Sequence, residues 1–207
     1  YLSVTTSITP STARAAARLK TAATVVEAEY RSDYAYHAQM EPLNSIAAVS
    51  AAGDAVEIWC GVQSQPMAIT VAAQALGIAE SKVKFNHYLL GGGFGRRGNR
   101  DIDFVLDSVL LSKASGKPVK VIWTREDDIH AGRFRPLYVN RLRAGLDAAG
   151  NVAGWYHRAV CDHVMAFMDP LRYKLVKGRD PIALLGTEVP AYNLPDRTIE
   201  GFLGGYQ

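Results

Sequence analysis

Two periodicities alternate along the chain, and together they predict a mixed set of strands and helices. Residues 24–31 place Val26, Ala28 and Tyr30 on one face and Glu27, Glu29 and Arg31 on the other, which predicts a half-buried strand. Residues 46–51 and 55–60 read as a β-hairpin turning at Gly53 and Asp54. Pro66 then opens a helix with Ile69, Ala72, Ala73 and Leu76 on one face and Gly77 as its stop. A strand over residues 82–90, a helix from near Asp101 carrying Ile102, Val105, Leu106, Val109 and Leu110, and a strand over 119–123 make a βαβ unit the expected connection. The charged stretch 125–135 reads as a short helix or loop, and residues 137–146 and 151–163 alternate again as a second hairpin. A short surface helix over 13–23 precedes all of these, after a β-branched stretch over 1–8. Beyond residue 165, Pro170, Pro181, Pro190 and Pro195 break the pattern and leave an irregular segment with one short helix near 171–176. The predicted fold class is α+β, a mixed sheet with hairpins and crossover helices. The expected organisation is residues 1–22 as a strand and helix, 23–164 as the α+β core and 165–207 as an irregular C-terminal segment.

Composition narrows the classes without naming one. A 207-residue chain with 48% hydrophobic and 21% charged residues has enough apolar content for a sizeable globular core. The net charge is +3, with basic residues dispersed, so no electrostatic footprint for nucleic acid is present. No apolar run is long enough to predict a membrane span. Cys60 and Cys161 are too few for a disulfide framework or a cluster motif and are expected to be buried as small apolar residues. The chain starts at Tyr1 and stops at Gly204, Gly205, Tyr206 and Gln207, as a piece of a longer protein would, and cytoplasm and periplasm both stay open.

The densest chemical signal is residues 91–98, Gly91-Gly92-Gly93-Phe94-Gly95-Arg96-Arg97-Gly98, between a predicted strand and a predicted helix. Five glycines in eight positions imply positive φ angles or a backbone pressed against something else. A Gly-rich turn before a helix N-terminus, with two arginines, is suited to an anion. Residues 93–98 match the G-x-G-x-x-G pattern, with Glu126 as a ribose-binding acid, which keeps a nucleotide-binding module open. Against it, the preceding strand has one polar face, Lys82, Lys84, Asn86 and Tyr88, where a dinucleotide-fold first strand is apolar on both. No Walker lysine follows the glycines, and no nucleophile elbow is present. His157, Cys161 and His163 share strand parity and form a candidate metal set. Glu41 beside His37 is a candidate cleft carboxylate, and Gln63, after a strand end and before a proline-started helix, can present its amide to an oxo group or a heterocycle. A stable α+β domain with no ligand is the remaining alternative.

Five separated segments, residues 37–44 (HAQMEPLN), Trp59 with Gln63, 91–97, Gly132 with Arg133, and 192–195, together resemble the molybdopterin-binding subunit of the xanthine oxidase family of molybdenum hydroxylases. The resemblance is nearest to its isoquinoline 1-oxidoreductase β-subunit and aldehyde dehydrogenase branch. It implies an oxidoreductase that hydroxylates an aldehyde or N-heterocycle with water-derived oxygen, using molybdopterin, as the cytosine dinucleotide. Electrons then pass to [2Fe–2S] clusters on a small partner subunit. It further implies that Gln63 hydrogen-bonds an oxo group and that Gly92, Gly93, Phe94, Gly95, Arg96 and Arg97 bind the cofactor. In that picture the N–H groups of Phe94, Gly95 and Arg96 lie against it, and the glycines let the backbone approach. Gly98 stands where the purine-oxidising branch has a glutamate, so a purine substrate is not expected. No catalytic residue is expected within the chain. The general-base glutamate is expected beyond Gln207, in the remainder of the molybdenum subunit, so the piece alone should not turn over.

Overall fold

The computed structural model describes residues 13–178, 180–187 and 191–204. The chain divides into two compact units, Tyr36–Arg135 and the pair of segments Tyr1–Ala35 and Pro136–Gln207. This differs from a single core over 23–164. The strand after the first helix pairs with one more than a hundred residues later, a closure that periodicity cannot show.

In the Tyr36–Arg135 unit, β3 (Asn44–Val49) and β4 (Val56–Cys60) form the expected antiparallel hairpin. β5 (Val83–His87) adds parallel to β4, and β6 (Val119–Ile122) adds antiparallel to β3, giving the order β5-β4-β3-β6. The adjacent parallel pair is therefore β4 and β5, joined by α2 (Gln65–Leu76). β5 and β6 run parallel at opposite edges, joined by α3 (Asp103–Ser115), so the expected βαβ unit spans the whole sheet. α2 ends at Gly77, whose φ of 71° is the left-handed cap that glycine adopts without a Cβ penalty. Ala47 and Ile58 from the sheet, Ala68, Ala72 and Ala73 from α2, and Phe104, Val105 and Val109 from α3 fill one buried core. Small α2 residues let that helix lie close to the sheet. The opposite face of the sheet, with Ile46, Ala48, Trp59 and Lys120, lines an open cleft of about 630 Å³. Two-residue strands β2 (Ala35–Tyr36) and β7 (Phe134–Arg135) pair with each other. α4 (Arg125–Ala131) begins with a capping box in which Thr124 and Asp127 exchange side-chain and backbone hydrogen bonds of 3.1 and 2.9 Å.

In the other unit, β1 (Thr24–Ser32), β8 (Tyr138–Leu146), β9 (Val152–Cys161) and β10 (Arg197–Leu203) form one sheet in that order. The β8–β9 hairpin is as expected. The parallel strand β10 lies in the stretch expected to be irregular, where α5 (Val164–Met168) and α6 (Pro170–Leu175) also occur. α1 (Ala13–Thr21) buries Ala15 and Leu19 over the hairpin. It can do so because Gly145 and Gly154 face each other beneath it: a Cβ on Gly154 would stand 2.8 Å from the Arg18 Cβ. β1 is more exposed than expected, Val26 at 53% and Tyr30 at 60%, because it is an edge strand covered on neither face among the described residues. The β-branched stretch at residues 1–8 lies outside the described residues.

The two cysteines are free and buried, as expected, and burial pushes both thiols up to about 11. Among the described residues no helix is long and apolar enough to cross a membrane.

Candidate functional site

Gln63 stands just beyond β4, and the glycine loop folds around its side chain. Its backbone N–H donates to the Arg97 carbonyl at 3.0 Å, and its Oε1 accepts from the Gly95 N–H at 2.9 Å. A Cβ on Gly93 would stand 2.5 Å from Gln63 Oε1, and one on Gly98 would stand 3.3 Å from Gln63 Cβ. A Cβ on Gly91 would collide with Glu41 at 2.6 Å, while Gly92 and Gly95 hold φ values of 94° and 110° that side chains rarely adopt. Every glycine of the loop thus has a reason inside the protein. The positive φ angles and the backbone pressed against other groups are both as expected, with Glu41 and Gln63 as the groups it meets.

The hydrogen bond from Gly95 also decides which end of the Gln63 amide is which: only the oxygen can accept, so the NH₂ end is the free edge. Among the described residues nothing accepts from it. The same accounting revises the expected backbone donors. Gly95 N–H is taken by Gln63, and Arg96 N–H donates to the Gly93 carbonyl at 2.9 Å. The loop N–H groups without an acceptor among the described residues are those of Gly92, Gly93, Phe94 and Arg97, of which Phe94 alone was expected. Phe94 itself is 62% exposed and has a φ of 51°.

The two arginines differ most from expectation. Both are fully buried and turned away from the loop surface. Arg96 makes a bidentate pair with Asp103, both bonds 2.9 Å, and its Nε donates to Asp128 at 3.3 Å; its guanidinium lies 5.3 Å from the Trp123 ring centroid. Arg97 donates to the carbonyls of Gly61 and Glu41 at 3.0 Å and of Pro42 at 3.1 Å, and pairs with the Glu41 carboxylate at 3.0 Å. Such fork geometry suits guanidinium and not ammonium. Arg96 and Arg97 brace the loop from behind, and their side chains are not available to a phosphate.

Three further residues carry the site and were not singled out as a network. Asp128, fully buried on α4, accepts from Tyr36 Oη, Gln39 Nε2 and Arg96 Nε. Gly132 must be a glycine because a Cβ there would overlap the Asp128 carbonyl oxygen. Glu41 accepts from Gly91 N–H at 2.7 Å and from Asn44 Nδ2 at 2.8 Å. Burial alone would raise its pKa, but those two bonds and Arg97 hold it below the usual carboxylate value. Gln39 and Glu41 lie in the quoted 37–44 motif, which was the available signal. A lone buried acid such as Asp128 has none.

Other candidates separate. α3 begins at Asp103, after a 3₁₀ turn at Arg96–Gly98, so the loop does not run straight into a helix N-terminus. The Asp103 carboxylate itself accepts from the Phe104 N–H at that end at 3.0 Å, which leaves a phosphate no welcome there. His157 bonds Asn140 at 3.0 Å and His163 bonds Tyr173 at 2.9 Å, and among the described residues no group of three or more metal-binding side chains converges.

Comparison with known proteins gives the family and the fold. The molybdopterin cofactor-binding domain family matches residues 5–172. The isoquinoline 1-oxidoreductase subunit beta of Brevundimonas diminuta is 35% identical over 173 residues, which is 83% of this chain and 22% of that protein. A protein of Gluconacetobacter polyoxogenes named membrane-bound aldehyde dehydrogenase [pyrroloquinoline-quinone] is 41% identical over 138 residues, 66% of this chain and 17% of its own length. The crystal structure of quinoline 2-oxidoreductase from Pseudomonas putida 86 shares the fold, with a TM-score of 0.67 at 19% identity over 91% of this chain and 23% of that one. The aldehyde oxidoreductase of Desulfovibrio gigas also shares it, with a TM-score of 0.64 at 16% identity over 90% of this chain and 20% of that one. The chain spans about a fifth of the length of these relatives, between 17% and 22% for the two curated proteins. It belongs to the molybdopterin cofactor-binding domain family.

Proposed function

We propose that this chain supplies one wall of the molybdenum-cofactor site of a hydroxylase acting on an aldehyde or an N-heterocycle. The observation that carries the reading is the Gln63 amide, held by Gly95 so that its NH₂ edge is free, beside the N–H groups of Gly92, Gly93, Phe94 and Arg97, which have no acceptor among the described residues. These donors fit a group that presents oxo or carbonyl oxygens. When bound, the molybdenum centre supplies two-electron oxidation with oxygen drawn from water. Gln63 would orient that centre by donating to its oxygen, at no change in charge and with little reorganisation, because the backbone at Arg97 and the loop at Gly95 already hold it. Phe94, exposed at the loop tip, would cover the site from water.

The finer assignments follow the family resemblance: the cytosine dinucleotide form of the cofactor, a small [2Fe–2S] subunit as electron acceptor, the remainder of the molybdenum subunit as partner, and a general-base glutamate outside this chain. On that view the piece alone is inactive. The name of the Gluconacetobacter relative raises a second cofactor, pyrroloquinoline-quinone, whose carbonyls could also accept from this donor set. Elemental analysis of the matured parent protein, with pterin fluorescence after oxidation and quinone extraction, separates the two. Molybdenum and pterin near one per protomer are expected; quinone without molybdenum would overturn the reading. In the same protein Gln63→Ala should keep its molybdenum and lower kcat about 100-fold or more, the usual consequence of deleting a preorganised donor.

A further inference from the structure

We propose that His37 is a further cofactor-contacting residue, whose Nε2 is a side-chain hydrogen-bond acceptor beside the donors of the loop and receives an N–H from a fused heterocycle of the pterin class. The inference rests on the functional reading above and adds a residue to it. His37 Nδ1 lies 2.9 Å from the Arg133 carbonyl oxygen. A carbonyl only accepts, so Nδ1 carries the proton and Nε2 of the neutral ring holds the lone pair. That nitrogen stands 3.3 Å from where a Cβ on Gly95 would be, on the same residue whose N–H grips Gln63. The Gln63 oxygen and the His37 Nε2 are thus at most about 9 Å apart by covalent geometry, within the reach of one bicyclic ligand.

The imidazole is held on both sides. Ala38, next in the chain, adopts a φ of 52°, which a non-glycine residue keeps only where its surroundings dictate it. Gln39 is fully buried and bonded to Asp128. Burial first, and then the cations Arg135 and Arg96, hold the His37 pKa below its ordinary value, against the Arg133 carbonyl and Asp128, so the ring stays neutral at neutral pH. An acceptor beside the loop discriminates between ligands. A bare phosphate meets a lone pair there, with Arg96 and Arg97 turned inward, whereas a pyrimidine ring offers N–H groups beside its carbonyl oxygen.

Two substitutions in the matured parent protein separate a ligand contact from a structural brace. An asparagine amide occupies roughly the place of Nδ1 and a glutamine amide that of Nε2. His37→Asn keeps the bond to Arg133 and removes the acceptor, while His37→Gln keeps an acceptor at Nε2. The readouts are molybdenum and pterin per protomer during prolonged dialysis against a chelator, together with the thermal midpoint. His37→Asn should melt near wild type yet lose cofactor about five to tenfold faster, the effect of one hydrogen bond. His37→Gln should retain it nearly as wild type does. Retention by His37→Asn equal to wild type, or loss by His37→Gln alone, would overturn the inference. Wild-type protein that holds neither molybdenum nor pterin would overturn the functional reading and this inference with it.

Discussion

Gly93→Ala tests whether the loop is glycine-rich for its own packing or for a ligand. The backbone there does not need glycine, since its φ lies outside the left-handed range. The added methyl would stand 2.5 Å from Gln63 Oε1 and 2.8 Å from Cδ, so one of them must move. The cheaper movement is the Gln63 side chain, an exposed flexible amide, swinging off the loop and surrendering the Gly95 bond. One lost hydrogen bond is worth about 1 kcal/mol, and residual crowding brings the total to about 1–3 kcal/mol. A fold with a typical margin of about 5–15 kcal/mol survives that. The amide, however, no longer points where it must, so the functional loss should approach that of Gln63→Ala. The coupling is the sharper test. With Gln63→Ala already in place the methyl has room, and Gly93→Ala should then cost little further stability or activity. Thermal shift and dye-linked turnover of the parent protein as a double-mutant cycle would measure it. Equal penalties from Gly93→Ala in the two backgrounds would refute the account.

Two further outcomes follow from the buried charges. Asp128→Ala strands Tyr36 Oη, Gln39 Nε2 and one edge of Arg96, and should destabilise by about 3–5 kcal/mol. Asp103→Ala, at a side chain 22% exposed, should cost less in the same thermal-shift measurement, and the reverse order would count against Asp128 as the hub. His37, His157 and His163 all have folded pKa values lowered by burial first, so the unfolded chain binds more protons as pH falls through 6.5. Stability should therefore be full above that value and decline below it. Glu41, held below 4.5, adds a second loss at lower pH, as the medium approaches its folded value. A melting temperature flat between pH 7.5 and about 5.5, a window bracketing the ordinary histidine value, would contradict the histidine part.

How much of the site was readable depends on the kind of signal each residue leaves. Gln63 was legible because it sits between a strand end and a proline-started helix, two strong local markers. The glycine loop was legible as a density of residues that only special backbone or close packing explains. Its donors were not, because whether Gly95 or Gly92 has a free N–H depends on which side chain arrives from elsewhere. Arg96 and Arg97 were misread for the same reason. Charge predicts exposure on average, and what kept them inside was Asp103, Asp128, Glu41 and three carbonyls, brought together from separate parts of the chain.

Local order therefore came from the sequence: the two hairpins, the helix between Pro66 and Gly77, the Gly-rich turn and the α+β class all follow from periodicity and turn chemistry acting over a few residues. The tertiary structure alone decided the long-range pairings. These are β1 beside β8, β5 and β6 at opposite edges of one sheet, and β10 formed from a stretch with no visible pattern. It also decided the sense of each polar group, which depends on a partner distant in sequence. That is why the arginines became interior braces, and why among the described residues the free loop donors are Gly92, Gly93, Phe94 and Arg97, where Phe94, Gly95 and Arg96 were expected.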